Sequence, residues 1–301
     1  MKYLIVSADD LGLAESINRG IIKSGEEGIV TSMNVIASGG AFYDAMAMLM
    51  AGKSKEIGAH LALTETAPVS AANKIPTLIN SAGKFHKSYP GFLTNLLRKK
   101  IDPSQVYIEL KSQMERIAGG GIPVTSLSSH QHIHMLPGIL EIFIRLAKEY
   151  NIPSVRYLHN DKFLFPVKGN THFLRLNHGK WVFPFTFKKI FKKMIIGYFD
   201  GRLKKALDGA SLKYTDNFLG FFDSGNIREE ILIGMLDKLP EGVTELVTHP
   251  GFISAEVLDR CIFHKNCEID LAALTSRRVR KAIADNGIKL ISFGEFARLA
   301  K

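Results

Sequence analysis

Short β-rich runs alternate with helical stretches along most of this chain, and that alternation limits the fold more than any other feature. Candidate strands are Tyr3–Ser7, Val30–Ile36, Ile57–Leu61, Thr125–Ser129, Ser154–Tyr157, Phe218–Phe222, Thr244–Val247 and Lys289–Ser292. Between most of them lie helix-like stretches: Ser16–Glu27, Phe42–Met50, Pro103–Ala118, Ile139–Tyr150, Ile227–Leu239 and Leu271–Asn286. Strands separated by helices pair in parallel, and the helices cover the sheet. Gly28, Gly119 and Gly287 follow helical stretches, where a left-handed C-cap is expected. No repeat or low-complexity linker interrupts the 301 residues, so one domain over 1–301 is predicted. Two stretches break the pattern. Thr66 to Lys100, with Pro68, Pro76 and Pro90, reads as a long loop over one end. The stretch from about 159 to 214 is too long for a βα connection and reads as an inserted basic lid or subdomain.

With 46% hydrophobic and 23% charged residues, the chain can bury a sizeable core without staples. Cys261 and Cys267 are too few and too oddly spaced for a disulfide framework or a zinc knuckle, so both are expected as free thiols. No run approaches the ~18 apolar residues of a spanning helix. Met1–Ser7 leads straight into Asp9-Asp10 with no targeting pattern, so a cytoplasmic location is expected. The net charge of +10 is local: residues 160–213 hold twelve bases against three acids. No nucleic-acid motif accompanies that patch, and a nucleic-acid partner is not expected. Trp181, Phe183, Phe185, Phe187 and Phe191 are interleaved there with Lys180, Lys188, Lys189, Lys192 and Lys193. Such a stretch suits either a lid with its lysines in water or peripheral attachment to an anionic inner-membrane surface.

The chemically capable residues fall at strand ends. Asp9 and Asp10 follow the first candidate strand, and His60 lies late in the third. His130, His132 and His134 follow the fourth, and His249 follows the strand around 245–248. In a parallel barrel all carboxyl ends of strands face one mouth, where active sites assemble. A dinucleotide fold would gather groups similarly, but its first turn should read G-x-G-x-x-G, and here it reads Ala-Asp-Asp-Leu-Gly-Leu. Each element has a plainer account: an N-cap for Asp9-Asp10, a core imidazole for His60, a turn for His249-Pro250-Gly251. The Ser-His-Gln-His-Ile-His run is harder to dismiss. If it is extended, three imidazoles share one face.

One carboxylate and two imidazoles can hold a divalent ion and leave positions open for water and substrate. A second carboxylate can then accept the proton of the attacking water, and a further histidine can protonate a departing amine. This inventory suits amide hydrolysis. No G-x-S-x-G nucleophile is present.

At these residues the chain resembles the YdjC-like carbohydrate deacetylases, which include chitooligosaccharide deacetylases and deacetylases tied to hopanoid biosynthesis. The resembling stretches are Ser-Ala-Asp-Asp-Leu-Gly-Leu at 7–13, Gly-Ile-Val-Thr-Ser at 28–32 and Ile-Gly-Ala-His-Leu-Ala-Leu-Thr at 57–64. Ser-His-Gln-His-Ile-His-Met at 129–135 and His-Pro-Gly-Phe at 249–252 complete the set. The resemblance implies an α/β fold, a distorted TIM-like (β/α) barrel of about seven parallel strands, and one divalent metal ion, Mg2+ or Zn2+. It implies hydrolysis of the N-acetyl group of an N-acetylglucosamine-containing saccharide or glycolipid, and a homodimer. Carried over by position, Asp10, His60 and His130 resemble metal ligands, Asp9 a general base and His249 a general acid. His132 and His134 would contact the substrate or the ligands. Relatives often carry Asp where this chain has Ser128, a neutral group that can orient a histidine only by hydrogen bonding. The competing expectations are a metal-dependent glycosidase or phosphohydrolase, or a non-catalytic carbohydrate- or lipid-binding protein. A glycosidase needs two carboxylates set ~5–9 Å apart across the bond, and Asp9 and Asp10 are adjacent.

Overall fold

In a computed structural model the chain is described over residues 1–52, 56–86, 89–136, 138–158, 176–177, 180–181, 184–221, 223, 225–260 and 262–299. The main sheet is built from β1 (Lys2–Leu11), β2 (Ser32–Val35), β3 (Ile57–Leu61), β4 (Val124–Ser129), β5 (Ser154–Val155), β8 (Asn217–Leu219), β9 (Gly242–Thr248) and β10 (Ile288–Leu290). A separate antiparallel hairpin joins β6 (Leu176–Asn177) to β7 (Lys180–Trp181). The helices are α1 (Glu15–Glu26), α2 (Phe42–Ala51), α3 (Tyr89–Leu97), α4 (Pro103–Ala118), α5 (Ile139–Glu149), α6 (Pro184–Gly209), α7 (Glu229–Asp237), α8 (Ala255–Arg260), α9 (Cys267–Leu274), α10 (Arg277–Asp285) and α11 (Phe293–Arg298).

Every pairing in the main sheet is parallel, in the order β5-β4-β3-β2-β1-β9-β8. Seven strands thus form the curved wall of a distorted β/α barrel, as the alternation and the family resemblance lead one to expect. The distortion is visible at β1. One edge pairs with β9 from Lys2 to Ala8; the other is shared, Lys2–Leu4 pairing with β10 and Ser7–Leu11 with β2. The two ends of the wall meet at a seam. Ser154 bridges Lys213, with Val155 N–H donating to the Lys213 carbonyl (3.0 Å) and Lys213 N–H to that of Pro153 (2.9 Å).

Alternation along β1 sorts its side chains. Leu4, Val6 and Ala8 join the large core under the helices, with Ile17 and Ile21 of α1. Ile5 belongs to a small separate cluster with Val243, Ile291, Phe293 and Phe296, where α11 plugs the amino ends of the strands. Two buttresses fix that plug: Gly294 N–H donates to Glu56 (2.7 Å), and Lys213 Nζ donates to the carbonyls of Ala297 and Leu299 (2.7 Å each). With apolar groups closing the amino end, the carboxyl ends are left for chemistry.

Several expectations need correction. The first strand does not stop before Asp9-Asp10 but runs through both. Neither caps α1, whose N-cap residue is Ala14. The stretch 66–100 is no bare loop: it holds a turn at Ala72–Lys74 and helix α3, and it buries Ile75, Leu78, Phe85 and Phe92. The single helix expected over Leu271–Asn286 breaks in two, because Ser276 accepts the Arg278 and Val279 N–H groups and starts α10. Of the three C-cap glycines, only Gly287 is left-handed (φ 61°). Gly28 is needed for space, since a Cβ there would lie 2.2 Å from the Ser24 carbonyl oxygen.

Of the basic insert, residues 176–177, 180–181 and 184–214 are described. The carboxyl half of α6 docks on the barrel: Leu203 and Leu207 are buried, and the Tyr157 hydroxyl donates to Asp200 Oδ1 (2.5 Å). The aromatic and basic side chains read as a membrane-facing patch lie outside the described residues. No helix among the described residues is long and apolar enough to cross a membrane. Cys267 is a buried free thiol whose pKa burial pushes up to about 11, whereas Cys261 lies outside the described residues.

Candidate active site

Adjacent residues of a strand point to opposite faces, yet both carboxylates of the Asp9-Asp10 pair face His60. Its Nε2 lies 3.8 Å from Asp9 Oδ2 and 3.5 Å from Asp10 Oδ1. The backbone supplies the reason. The register with β2 shifts between Ala8 and Leu11, and Asp10 takes φ 72°, a left-handed conformation that Asp tolerates better than most residues. Such strain costs on the order of 1–3 kcal/mol and is found where function needs it.

Asp9 is held by three hydrogen bonds. Arg156 grips it through Nη1 to Oδ2 (2.6 Å) and Nη2 to Oδ1 (2.8 Å), and Asn34 Nδ2 donates to Oδ1 (2.6 Å). Arg156 also donates from Nε to Glu245 Oε1 (2.9 Å), which accepts from the Ser7 hydroxyl as well (2.8 Å). Burial acts to raise the Asp9 pKa, but Arg156, with His60 and His249, outweighs it and holds the carboxyl well below the usual range. Arg156 and Asn34 thus favour the ionised carboxylate and fix its orientation.

Beside it, Asp10, His60 and His130 each offer a ligand atom, all within 4.8 Å of one another, and all three residues are buried. Their outer contacts fit a metal centre. The His60 Nε2 edge faces Asp10, while its Nδ1 meets Ser128 Oγ at 2.8 Å. His130 turns Nδ1 to Asp10 Oδ1 (2.9 Å) and Nε2 to Glu65 Oε2 (2.9 Å). A ligating imidazole needs such a partner on its second nitrogen to fix its tautomer and orientation. Without an ion, charges balance differently. Burial works to lower the His130 pKa, but Asp10 and Glu65 overcome it and hold it well above the usual imidazole value. Burial wins at His60, pushing it down to about 4 against the pull of Asp9 and Asp10.

His249 follows β9 with its Nε2 4.0 Å from Asp10 Oδ2. Burial lowers its pKa to about 3 despite both aspartates, so the resting ring is neutral. Its loop is stapled by Asp270, which accepts N–H groups from Gly225 (3.2 Å), Ile227 (2.7 Å) and His249 (3.0 Å). Burial raises the Asp270 pKa to about 6 even against those three donors. His264 also reaches Asp10, placing Nε2 3.0 Å from Oδ2.

His132 and His134 do not line one face with His130. The segment His130–Met135 is a tight 3-10 turn, with Gln131 (φ 55°) and His132 (φ 53°) left-handed, so the two-residue period of an extended chain does not apply. His132 stacks on Phe221, ring centroids 5.6 Å apart. His134 is fully buried behind Arg156, whose carbonyl accepts from Nε2 at 3.0 Å. Since a carbonyl can only accept, the proton sits on Nε2, and the Ser129 hydroxyl donates to Nδ1 (2.6 Å).

Arg156, Glu245, Glu65, Asn34, Asp270 and His264 were missed in the sequence. A signal existed for two of them: Arg156 and Glu245 are charges inside candidate strands buried on both faces. His264 lies among irregular residues, and nothing in its spacing marks it.

Residues 3–285 match the family model described as YdjC-like protein. A carbohydrate deacetylase of Vibrio parahaemolyticus is 33% identical over 292 residues, covering 96% of this chain and 94% of the relative. One from Thermoanaerobacter pseudethanolicus is 27% identical, covering 97% and 98%, and a chitooligosaccharide deacetylase of Serratia marcescens 26%, again covering 97% and 98%. Among solved structures, an Enterococcus faecalis protein described by cellobiose-phosphate cleavage superposes with a TM-score of 0.75 at 23% identity. The superposition covers 98% of each chain.

Proposed function

The chain belongs to the YdjC-like protein family, and from that premise we propose that it is a metal-dependent carbohydrate deacetylase removing the acetyl group of N-acetylglucosamine units. The observation that carries the reading is one mouth holding an ionised, Arg156-clamped Asp9 beside the Asp10–His60–His130 trio. In this reading the trio holds one divalent ion. Two imidazoles and a single carboxylate form a nitrogen-rich donor set that suits Zn2+ better than Mg2+, which prefers oxygen ligands. When bound, such an ion supplies Lewis acidity that lowers the pKa of water and polarises the acetyl carbonyl. Asp9 accepts the proton of the attacking water. The C–N bond then breaks, and the amine leaves with a proton delivered by His249, giving acetate and a free amino sugar. Because His249 rests neutral, it first receives the proton that Asp9 has taken from water. In this reading His132, half-buried at the turn, contacts the saccharide, whereas His134 supports Arg156 from behind.

The test is mass spectrometry of N-acetylchitooligosaccharides and of N-acetylglucosaminyl lipids after incubation with the zinc-loaded protein. Loss of one acetyl group with acetate released supports the reading. Cleavage of a glycosidic or phosphate bond instead would assign the mouth to a glycosidase or phosphohydrolase, and binding without turnover to a carbohydrate-binding protein.

His249→Ala is expected to lower kcat on an N-acetyl sugar by about 100-fold or more, the scale of a lost general acid. An activated aryl acetate, whose leaving group needs no proton, should lose far less. Equal losses on both substrates would remove His249 from the acid role.

The Asp270 staple gives a pH prediction. The folded chain keeps this proton up to about pH 6, whereas the unfolded chain loses it near 3.8. The folded state therefore binds more protons in that window, and the Asp270 contribution to stability falls as pH rises from about 4 to 6. Asp270→Asn should abolish this part of the slope in urea unfolding across pH 4–7. It should also lower kcat, because an amide offers its N–H groups to backbone donors and frees the His249 loop. An unchanged slope would show that Asp270 does not titrate in this window.

A further inference from the structure

Asp10 offers two oxygens, and each has its own surroundings. Oδ1 faces His130 Nδ1 at 2.9 Å and His60 Nε2 at 3.5 Å. Oδ2 faces His264 Nε2 at 3.0 Å. His264 is fully buried and comes from the 3-10 turn Ile262–Asn266, 254 residues along the chain from Asp10. Neither the metal trio nor the proposed proton transfers uses it.

We propose that His264 is a positioning residue for the metal centre, donating Nε2–H to Asp10 Oδ2 so that Oδ1 alone is presented with the two imidazoles. The inference rests on the metal reading of Asp10, His60 and His130. The left-handed backbone at Asp10 aims its Cα–Cβ bond, but rotation of the carboxylate about χ2 is a soft, twofold torsion. A donor fixed to one oxygen removes that freedom. It also keeps the carboxylate from chelating through both oxygens, which would occupy a position wanted for water or substrate. The other two ligands follow the same rule. His60 has Ser128 on its far nitrogen, His130 has Glu65, and Asp10 has His264 on its far oxygen. Each ligand is thus held by one partner from another part of the chain. The His264 ring also lies edge-on to His249, centroids 5.8 Å apart, so it braces the proposed acid from the same place.

The test compares two replacements of similar bulk in the full-length protein. His264→Gln keeps a donor; His264→Leu fills the space without one. Each is stripped with chelator and titrated with Co2+, followed by calorimetry and by visible absorption. Removing an outer-shell partner typically weakens metal binding about 10–100-fold. His264→Leu should show that loss, His264→Gln should recover most of it, and both should give the wild-type Co2+ spectrum at saturation. Affinity unchanged in the Leu variant would overturn the proposal. So would recovery by Leu and not by Gln, which would mean packing alone. A Leu spectrum that has lost one nitrogen ligand would make His264 a direct ligand and overturn it likewise. A wild type that binds no Co2+ would overturn the metal reading itself, an outcome separate from the rest. If the Leu variant does not fold, a Gln variant more than about tenfold weaker than wild type would count against a donor role.

Discussion

Asp9→Asn should leave metal and saccharide binding nearly intact while lowering kcat by about 100-fold or more, the scale on which a general base acts. The amide has the shape of the carboxylate and can still meet Arg156 through its oxygen, but it cannot take a proton from water. The split is the informative part. Asp10, His60 and His130 hold the ion in this reading, so the Zn2+ affinity of the variant should stay close to wild type and KM should move little. The pH profile adds a second check. Arg156 keeps Asp9 ionised well below the usual carboxylate range, so any acid limb of kcat must belong to another group. Normal turnover in Asp9→Asn would place the base elsewhere.

Arg156→Met is the substitution expected to cost most in stability. The guanidinium is buried between two buried carboxylates, Asp9 and Glu245, and donates to both. Replacing it by an apolar side chain of similar length leaves two uncompensated anions. Breaking a buried ion pair from one side costs about 3–5 kcal/mol, a large share of the roughly 5–15 kcal/mol that holds a protein folded. Adding Glu245→Gln should recover part of the loss, because one stranded charge is then gone. Glu245 Oε2 already lacks a hydrogen-bond partner among the described residues, so its carboxylate relies on Arg156 more than most. Urea unfolding of wild type, Arg156→Met and the double variant measures both effects. Equal stability of all three would mean that water or a rearranged side chain compensates the charges. Arg156→Lys should fall between, since a point charge cannot reproduce a two-pronged grip.

Alternation made the parallel sheet legible, the family resemblance added the barrel and the choice of Asp10, His60 and His130, and the structure brings those three side chains together. Three features were not legible, each for a physical reason. Alternation puts Asp9 and Asp10 on opposite faces; only the left-handed turn at Asp10 brings them together, and no periodicity encodes a single positive φ. The three-histidine run reads as extended because apolar Ile133 and Met135 alternate with the imidazoles, but successive left-handed residues wind it into a turn. The supporting groups were hidden by distance. Arg156 and Asp9 are 147 residues apart, and His264 and Asp10 are 254 apart. Ser128 shows what register can reveal. It pairs with His60 across β3 and β4 and meets its Nδ1, so the neutral hydroxyl at this position acts on His60, a partner 68 residues away.

The seam between Pro153–Val155 and Lys213 bears on how such a chain can change over time. It fastens together the two points at which the main wall is left and re-entered, with two backbone hydrogen bonds and no side chain of the insert. The chain between those points starts and ends at positions that are already tied together. Doubling the length of a flexible loop adds only about 0.6 kcal/mol to its closure. Only the carboxyl half of α6, which buries Leu203 and Leu207 against the barrel, is tied further, so a change of length elsewhere between those points costs the barrel little. A lineage could trade one insert for another, and with it the surfaces or saccharides it meets, while the mouth formed by β1, β3, β4 and β9 stays as it is.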